Sequence, residues 1–345
     1  MKAGVLKDVN EVSYMTVAEP LLQPGDLLLK VKAATVCGTD IRIFRGKKTS
    51  GIRYPSVLGH EFAGVVADNG GHSQYKVGNA VCVCPQFACG HCDYCIRGAE
   101  NLCSNLTSMG YEIDGAFAEY VRIPASGVAS GNVFKMPEGL SFEQAALAEP
   151  LSCVMNGQER VGVNMGDVVA VLGAGPIGIL HVKLARHAGA RTILVSEPNP
   201  LRREAAMKAG ADVVVDPTAE DLLSRVRGVS DGIGADVAIC AIGVPALAND
   251  AIRLVRHRGR VSLFAGFNKG TLAEIDVNAI HYNELIVTGS FGLTRLQFER
   301  SLKLIASGHL EVESLLTHRF GLEDIVSALT TAEQGSAIKV AIIGH

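Results

Sequence analysis

A glycine-rich turn near the middle of the chain constrains the fold more than any other feature. The sequence GAGPIG (173–178) follows the short apolar run VVAVL (168–172) and opens a helical stretch that continues to residue 189. In a strand–turn–helix of this form, glycines allow a tight turn, close approach of the backbone to a pyrophosphate and close helix–strand packing. The free N–H groups at the start of the helix would bind the phosphates. The predicted dinucleotide contacts are Gly173, Gly175, Pro176, Ile177 and Gly178.

The pattern around this turn predicts an α/β protein with two domains. Residues 153–290 alternate short β-branched runs with helical stretches, which indicates a doubly wound parallel sheet. Residues 1–152 contain short β-like runs broken by glycine, proline and asparagine, which is typical of a loop-rich, mostly antiparallel unit. Residues 291–345 contain an amphipathic helix and a final strand. This last segment either extends the parallel sheet or folds back on the first domain.

An acidic residue after the second β-branched run favours NAD as the dinucleotide. Glu197 lies 22 positions after Gly175, close to the spacing expected for a carboxylate that binds the ribose hydroxyls. A carboxylate there repels a 2′-phosphate, so NADP is less favoured. Arg202 and Arg203 follow closely and keep NADP open, because an arginine near this turn can accept that phosphate.

Composition and charge exclude several other functions. The chain has 345 residues, a net charge of −3 and no run of lysine and arginine, so the sequence predicts no nucleic-acid partner. Its longest apolar runs have the length of strands, which argues against a membrane span. The N-terminus lacks the pattern of a signal peptide. We therefore expect a cytoplasmic protein whose cysteines stay reduced.

Four of the nine cysteines lie within one short segment, CGHCDYCIRGAENLC. Their pattern is C-x2-C-x2-C-x7-C, and four thiolates on such short loops can close a tetrahedral zinc site with no open position. A [4Fe–4S] cluster also takes four cysteines, but the Cys-Pro ending of ferredoxin-type runs is missing here. The sequence therefore predicts a structural zinc bound by Cys89, Cys92, Cys95 and Cys103.

A second group of possible metal ligands is scattered along the chain. Cys37 and His60 each follow a β-like run, and Glu149 lies just before the predicted dinucleotide domain. Cysteine, histidine and a carboxylate can hold zinc with an exchangeable fourth position, which is the catalytic arrangement. Spacing alone supports this group weakly, because a buried cysteine or a core histidine is commoner than a ligand.

Several motifs together resemble the zinc-dependent medium-chain dehydrogenase/reductases, in the branch of the sorbitol (polyol) and threonine dehydrogenases. They occur in the order of that family and are VCGTD (36–40), GHEFAGVV (59–66), the four-cysteine segment (89–103), GAFAEYV (115–121), AEPLSC (148–153) and VLGAGPIG (171–178). The resemblance implies a GroES-like catalytic domain, residues 1–152 and 291–345, with a Rossmann NAD-binding domain, residues 153–290, inserted in it. It also implies a homo-oligomer, a tetramer or else a dimer.

The resemblance assigns roles to individual residues. Catalytic zinc would be bound by Cys37 and His60, with Glu61 and Glu149 as ligands or close neighbours. It would lower the pKa of the substrate hydroxyl, and Thr39 would pass the proton towards solvent. Asp40 would orient His60 through its other ring nitrogen. Cys153 is out of register with the cysteine of other alcohol dehydrogenases and is interpreted as a buried thiol.

The implied activity is hydride transfer from a secondary alcohol to NAD+, giving a ketone, with two zinc ions per chain. A polyol, a sugar acid or a sugar-alcohol phosphate would be the substrate; a threonine 3-dehydrogenase or a general alcohol or aldehyde dehydrogenase is the alternative. Arg42 replaces a histidine that continues the proton relay in many members. Arg42 and Arg295 could instead bind an anionic substrate group, or Arg42 could be a surface ion-pair residue. A non-enzymatic relative would lack zinc ligands, and none is lost here.

Overall fold

Two units divide the chain in the computed structural model, which describes residues 1–344. The first unit comprises Met1–Ser152 and the C-terminal segment from Leu293 onwards; the second is Cys153–Gly292. The sequence predicts domain boundaries after residues 152 and 290. In the structure the chain divides after residues 152 and 292. No helix within residues 1–344 is both long enough and apolar enough to cross a membrane.

The N-terminal part of the first unit is built mainly of short strands. The strands are β1 (Lys2–Asp8), β2 (Glu11–Thr16), β3 (Leu27–Thr35), β4 (Ser56–Val57), β5 (Glu61–Asp68), β6 (Ala80–Val83), β7 (Gln86–Phe87), β8 (Thr107–Ser108), β9 (Tyr120–Ile123) and β10 (Val133–Lys135). The helices are α1 (Gly38–Phe44), α2 (Asp93–Ile96), α3 (Ala125–Ala129) and α4 (Phe142–Ala146), with a 3₁₀ turn at Glu100–Leu102. Helix α5 (Ala148–Val161) begins in this unit and continues past Ser152 into the second unit.

The second unit is an alternating α/β domain. Its strands are β11 (Val168–Leu172), β12 (Thr192–Ser196), β13 (Val213–Val215), β14 (Ala235–Cys240), β15 (Val255–Leu263) and β16 (Ile286–Gly289). Its helices are α6 (Pro176–His187), α7 (Pro200–Lys208), α8 (Leu222–Gly228), α9 (Pro245–Leu254) and α10 (Val277–Tyr282). The strands form one parallel sheet in the order β13-β12-β11-β14-β15-β16. The predicted doubly wound parallel sheet is confirmed.

The C-terminal segment returns to the first unit. It contains α11 (Arg295–Ala306), β17 (Leu316–Phe320), α12 (Ile325–Gln334), β18 (Lys339–Ile343) and 3₁₀ turns at Glu313–Leu315 and Leu322–Asp324. Strand β18 pairs antiparallel with β3 and parallel with β17. The main sheet of this unit therefore has the order β10-β6-β5-β3-β18-β17, with β9 also paired to β3. Of the two alternatives for the last segment, the structure selects folding back on the first unit.

Register in this sheet brings distant residues of the chain together. Thr35 at the end of β3 lies opposite Glu61 at the start of β5, and Ala341 of β18 lies opposite Thr35 on the other side. The apolar side chains of β3 and β5 pack into a core that includes Leu27, Leu29, Val31, Phe62 and Val66. The polar side chains of Thr35 and Glu61 are therefore held at the ends of strands that belong to a buried sheet.

Candidate metal and cofactor sites

Cys37 marks the point where β3 ends and α1 begins. It is the N-cap of α1: its Sγ accepts the N–H of Thr39 at 3.5 Å, and its own N–H donates to Oδ2 of Asp40 at 2.8 Å. This reciprocal pair is a capping box, which satisfies two N–H groups that a helix start leaves without partners. The local fold thus fixes the Cys37 thiol at the positive end of a short helix and leaves it half-buried.

His60 precedes β5 and Glu61 begins it, directly after a glycine with positive φ. Gly59 has φ +94°, and a Cβ there would come within 2.6 Å of the Phe117 ring, so no other residue fits without a shift. His60 is 4% exposed and Glu61 is fully buried. The ligand atoms of Cys37, His60 and Glu61 all lie within 4.8 Å of one another, so these three side chains can hold one metal ion.

Asp40 lies against the ring of His60. Its Oδ1 is 3.3 Å from His60 Nδ1, and both side chains are buried. A carboxylate at Nδ1 leaves Nε2 as the nitrogen that can face a metal. Burial would lower the pKa of His60, but the charges of Tyr111 and Asp40 outweigh burial and hold that pKa well above its usual value. The group therefore attracts positive charge.

Glu61 also holds a buried lysine that sequence reasoning missed. Lys339, at the start of β18, is 4% exposed, and its Nζ lies 2.8 Å from Oε1 and 2.6 Å from Oε2 of Glu61. The hydroxyl of Thr35 donates to the same carboxylate. Burial would lower the pKa of Lys339, whereas the charges of Glu61 and Cys37 raise it above its usual value. The one sequence signal for this residue is a lysine that opens the otherwise apolar run KVAII.

Tyr111 is a second neighbour that the sequence did not indicate. Its ring centroid is 5.4 Å from that of His60. Burial raises the pKa of Tyr111, and the charge of His60 opposes this rise. The titrations of Tyr111 and His60 are therefore linked.

Glu149 and Thr39 take different positions around the three-residue group. Glu149 lies in the first turn of α5 and is 6% exposed, but it is not part of the close group of Cys37, His60 and Glu61. Its charge still acts on Tyr111 and Lys339, which places it in their vicinity. Thr39 is half-buried in the first turn of α1, two residues after Cys37.

The structure also shows the surroundings of three other residues that the sequence singled out: Cys153, Arg295 and Arg42. Cys153 is half-buried rather than buried. The backbone N–H of Arg295 donates to Oε1 of Glu100, and its Nε donates to Oε2 at 2.8 Å. These two hydrogen bonds join the start of α11 to the four-cysteine segment, so Arg295 has a structural partner that the sequence did not indicate. Arg42 is half-buried on α1, one turn after Thr39.

The four-cysteine segment forms a separate group of possible ligands. The sulfur atoms of Cys89, Cys92, Cys95 and Cys103 all lie within 4.8 Å of one another. None of the nine cysteines, which all lie within residues 1–344, is in a disulfide. Hydrogen bonds from the backbone at Cys95 and Ser104 lower the pKa of Cys92 to about 6, whereas burial raises that of Cys95 to about 12. Four sulfur atoms this close repel each other when ionised, and a bound divalent cation removes that repulsion.

The glycine turn of the second unit has the geometry that its sequence predicts. Gly173 has φ +97°, and a Cβ on Gly178 would lie 1.9 Å from the Gly173 carbonyl oxygen. Gly175 caps α6, with Pro176 at the first helical position and Ile177 following it. A side chain at Gly178 would therefore push α6 away from the glycine turn. The N–H groups at the start of α6 would then move relative to that turn.

The acidic residue predicted for the ribose is held beside this turn. Glu197 is 4% exposed; its Oε2 accepts the N–H of Ala174 at 2.8 Å, and its Oε1 accepts the N–H of Asn199 at 3.0 Å. Nη1 of Arg203 donates to the carbonyl of Glu197 and lies 3.0 Å from Asp216. Arg203 is thus engaged within the fold. Arg202 lies half-buried at the start of α7, where its N–H donates to Asn199.

Comparison with known proteins agrees with this arrangement. Residues 23–138 match the alcohol dehydrogenase GroES-like domain, and residues 176–307 match the zinc-binding dehydrogenase domain. Sorbitol dehydrogenase of Bacillus subtilis is 32% identical over 97% of this chain and 94% of its own length. L-Threonine 3-dehydrogenase of Pyrococcus abyssi is 36% identical over 92% of this chain and 90% of its own length.

A solved structure extends the likeness to the whole fold. A zinc-binding dehydrogenase from Sinorhizobium meliloti, crystallised with NADP, superposes with a TM-score of 0.92 at 34% identity and covers 99% of both chains. The predicted family and its two-domain α/β fold are confirmed. The chain belongs to the zinc-dependent medium-chain alcohol and polyol dehydrogenases, a family of oxidoreductases that use a nicotinamide dinucleotide.

Proposed function

We propose that this protein oxidises the secondary hydroxyl of a polyol, a sugar acid or a sugar-alcohol phosphate to a ketone, with NAD+ as the hydride acceptor. The observation that carries the proposal is the group of Cys37, His60 and Glu61, whose ligand atoms lie within 4.8 Å of one another. A thiolate, an imidazole and a carboxylate are the donors of catalytic zinc sites that keep a position open. The residues present therefore fit zinc.

Each residue around this group has a separate part in the proposed reaction. Cys37, His60 and a glutamate, either Glu61 or Glu149, would hold a zinc ion, and this Lewis acid would lower the pKa of a substrate hydroxyl. Asp40, whose Oδ1 lies 3.3 Å from Nδ1 of His60, would leave Nε2 of that ring to bind the metal. The hydroxyl of Thr39 can accept the substrate proton and pass it towards solvent. Arg42 cannot continue this relay, because a guanidinium does not release a proton near neutral pH.

Two zinc ions per chain are expected, one at each group of ligands. Metal analysis of the purified protein should give about two zinc per chain, and Cys95→Ser should lower this to about one. The same variant should unfold at a lower temperature, since a structural zinc contributes directly to folding free energy. A wild-type protein with one zinc or none would contradict the two-site proposal, and a Cys95→Ser variant of full stability would contradict a structural role.

Glu197 is proposed to select NAD+ over NADP+. Glu197→Gln keeps the size of the side chain and one acceptor oxygen but removes the charge that repels a 2′-phosphate. The ratio of kcat/KM for NAD+ to that for NADP+ should fall by about 10-fold or more, since placing like charges together costs several kcal/mol. Steady-state kinetics with both cofactors measures this ratio.

Glu204→Gln is the matched control for the cofactor test. Glu204 lies on α7, the helix that follows Glu197 in the chain, and pairs with Lys208 on the surface, so its loss should leave the ratio unchanged. A wild-type preference for NADP+, or an unchanged ratio in Glu197→Gln, would contradict the role of Glu197. The relative crystallised with NADP makes this a real alternative.

L-Threonine 3-dehydrogenase activity is the second candidate. The relative from Pyrococcus abyssi that bears this name is 36% identical. Threonine also carries a secondary hydroxyl, so the same zinc chemistry would serve it. An NAD+ reduction screen over polyols, sugar acids, sugar-alcohol phosphates, threonine and simple alcohols separates the candidates by kcat/KM.

The proposed setting is a homo-oligomer in the cytoplasm, a tetramer or else a dimer. Strand β16 is at one edge of the parallel sheet, and Ile286 on it is 58% exposed. An exposed edge strand with apolar side chains can pair with a second copy of the same strand. The reduced cysteines of the four-cysteine segment suit a compartment that keeps thiols reduced.

A further inference from the structure

Four cations follow the candidate zinc ligand Cys37 within one short stretch, RIFRGKK (42–48). One of them, Arg45, pairs with a carboxylate on α12: its Nε donates to Oε1 of Glu333 at 2.8 Å. Lys47 is exposed, and Arg45 together with Lys47 lowers the pKa of Glu333.

The other two cations are Arg42 and Lys48, and Lys48 lies close to the candidate metal group through the ring of Tyr111. Nζ of Lys48 lies 4.8 Å from the centre of the Tyr111 ring, whose centroid is 5.4 Å from that of His60. Arg42 lies three residues after Thr39 on α1, and residues three apart lie on the same face of a helix. The N–H of Lys48 donates to the Arg42 carbonyl at 3.1 Å, which keeps the two residues together.

The two cations affect each other electrostatically. Burial lowers the pKa of Lys48, the charge of Glu112 raises it, and the charge of Arg42 lowers it further. Glu112 is exposed, and its Oε2 accepts the N–H of Ser108 at 2.9 Å. An anion placed between Arg42 and Lys48 would be attracted by both and would relieve their repulsion.

We propose that Arg42 and Lys48 bind an anionic group, a carboxylate or a phosphate, of the alcohol substrate. This inference rests on the proposed oxidation at Cys37 and His60, and it narrows the substrate class from polyols in general to acidic ones. Arg42 supplies a planar donor set suited to either oxyanion, and Lys48 supplies a point charge. Arg42, at the position of the relay histidine, would thus bind the anion with a planar, permanently charged donor set that a histidine does not have.

The test compares three alcohols of equal carbon number: a sugar acid, a sugar-alcohol phosphate and the uncharged polyol. Arg42→Gln and Lys48→Gln should each lower the ratio of kcat/KM for the preferred acidic substrate to that for the polyol by about 10- to 100-fold, mainly through KM. Lys47→Gln, which removes the same charge one residue away, should leave this ratio unchanged. If kcat/KM falls more for the sugar acid, the bound anion is a carboxylate; if it falls more for the sugar-alcohol phosphate, the bound anion is a phosphate.

Binding without turnover separates this inference from the proposed function. Calorimetric titration of the zinc-loaded protein with the same sugar acid and sugar-alcohol phosphate, without NAD+, should show binding that weakens by the same factor in Lys48→Gln. If no alcohol reduces NAD+ but this binding pattern holds, the proposed function fails and the anion site stands. If the wild type prefers the uncharged polyol, or neither variant changes the ratio and the binding, the anion site is wrong. Thermal unfolding of each variant checks that the fold is retained.

Discussion

Replacing Cys37 with serine is expected to lower kcat/KM by on the order of 10³-fold or more, which corresponds to about 4 kcal/mol of lost transition-state stabilisation. A serine hydroxyl is a much poorer zinc ligand than a thiolate at neutral pH, so the metal would be lost or wrongly held. The fold should survive, because serine is a good N-cap and Asp40 would still accept the N–H of residue 37. Steady-state kinetics and zinc content, measured on the same preparation, test this expectation.

Cys153→Ser is the matched control for this experiment. Cys153 is also half-buried and outside any disulfide, and it is the nearest cysteine in the sequence to Glu149. It lies outside the group of Cys37, His60 and Glu61, so its replacement should leave both zinc ions and most of the activity. Loss of activity in Cys153→Ser with retention in Cys37→Ser would move the catalytic metal to the start of α5 and overturn the present assignment.

Local sequence patterns were sufficient for the second unit. The turn from Gly173 to Gly178, the strand before it and the helix after it depend on neighbours in the sequence, so their geometry follows from residue type. The four cysteines from Cys89 to Cys103 meet for the same reason, since short loops leave them few other arrangements.

Contacts across hundreds of residues could not be read from such patterns. The run KVAII predicts a strand, but nothing in it indicates pairing with β3, and that pairing places Lys339 on Glu61. Tyr111 lies in a loop whose course depends on the whole first unit. The strand period would also place His60 and Glu61 on opposite faces. Both can contribute to one site because His60 precedes β5, which begins at Glu61.

Arg295 also has a distant partner that local sequence patterns could not predict, and here the sequence suggested a ligand instead. The sequence left it as a possible contact for an anionic substrate, because an arginine near the end of the last parallel strand can serve that purpose. Its actual partner, Glu100, is almost 200 residues earlier in the chain and holds both the backbone N–H and the guanidinium. A charged residue can be assigned to a ligand only after its possible partners within the fold are known.

Replacing Lys339 with methionine is expected to have the largest effect on stability. The pair of Lys339 and Glu61 is almost fully buried, so the variant leaves the Glu61 carboxylate without its cation in a site that excludes water. Breaking one side of a buried ion pair costs about 3–5 kcal/mol. Chemical denaturation of the metal-free protein should show a loss of this size in the free energy of unfolding.

The double variant Lys339→Met with Glu61→Gln tests whether the loss comes from the charge. Glutamine keeps the size of the side chain and can still accept from Thr35, so it should recover most of the stability in the metal-free protein. Arg45→Met removes a half-buried cation from its pair with Glu333, which is also partly open to solvent, and should cost far less. If zinc binds next to Glu61, its charge partly replaces that of Lys339, and Lys339→Met should lose less stability in the zinc-loaded protein than in the metal-free one. An equal loss in both forms would mean that Glu61 does not face the metal, and Glu149 would then be the glutamate that completes the site.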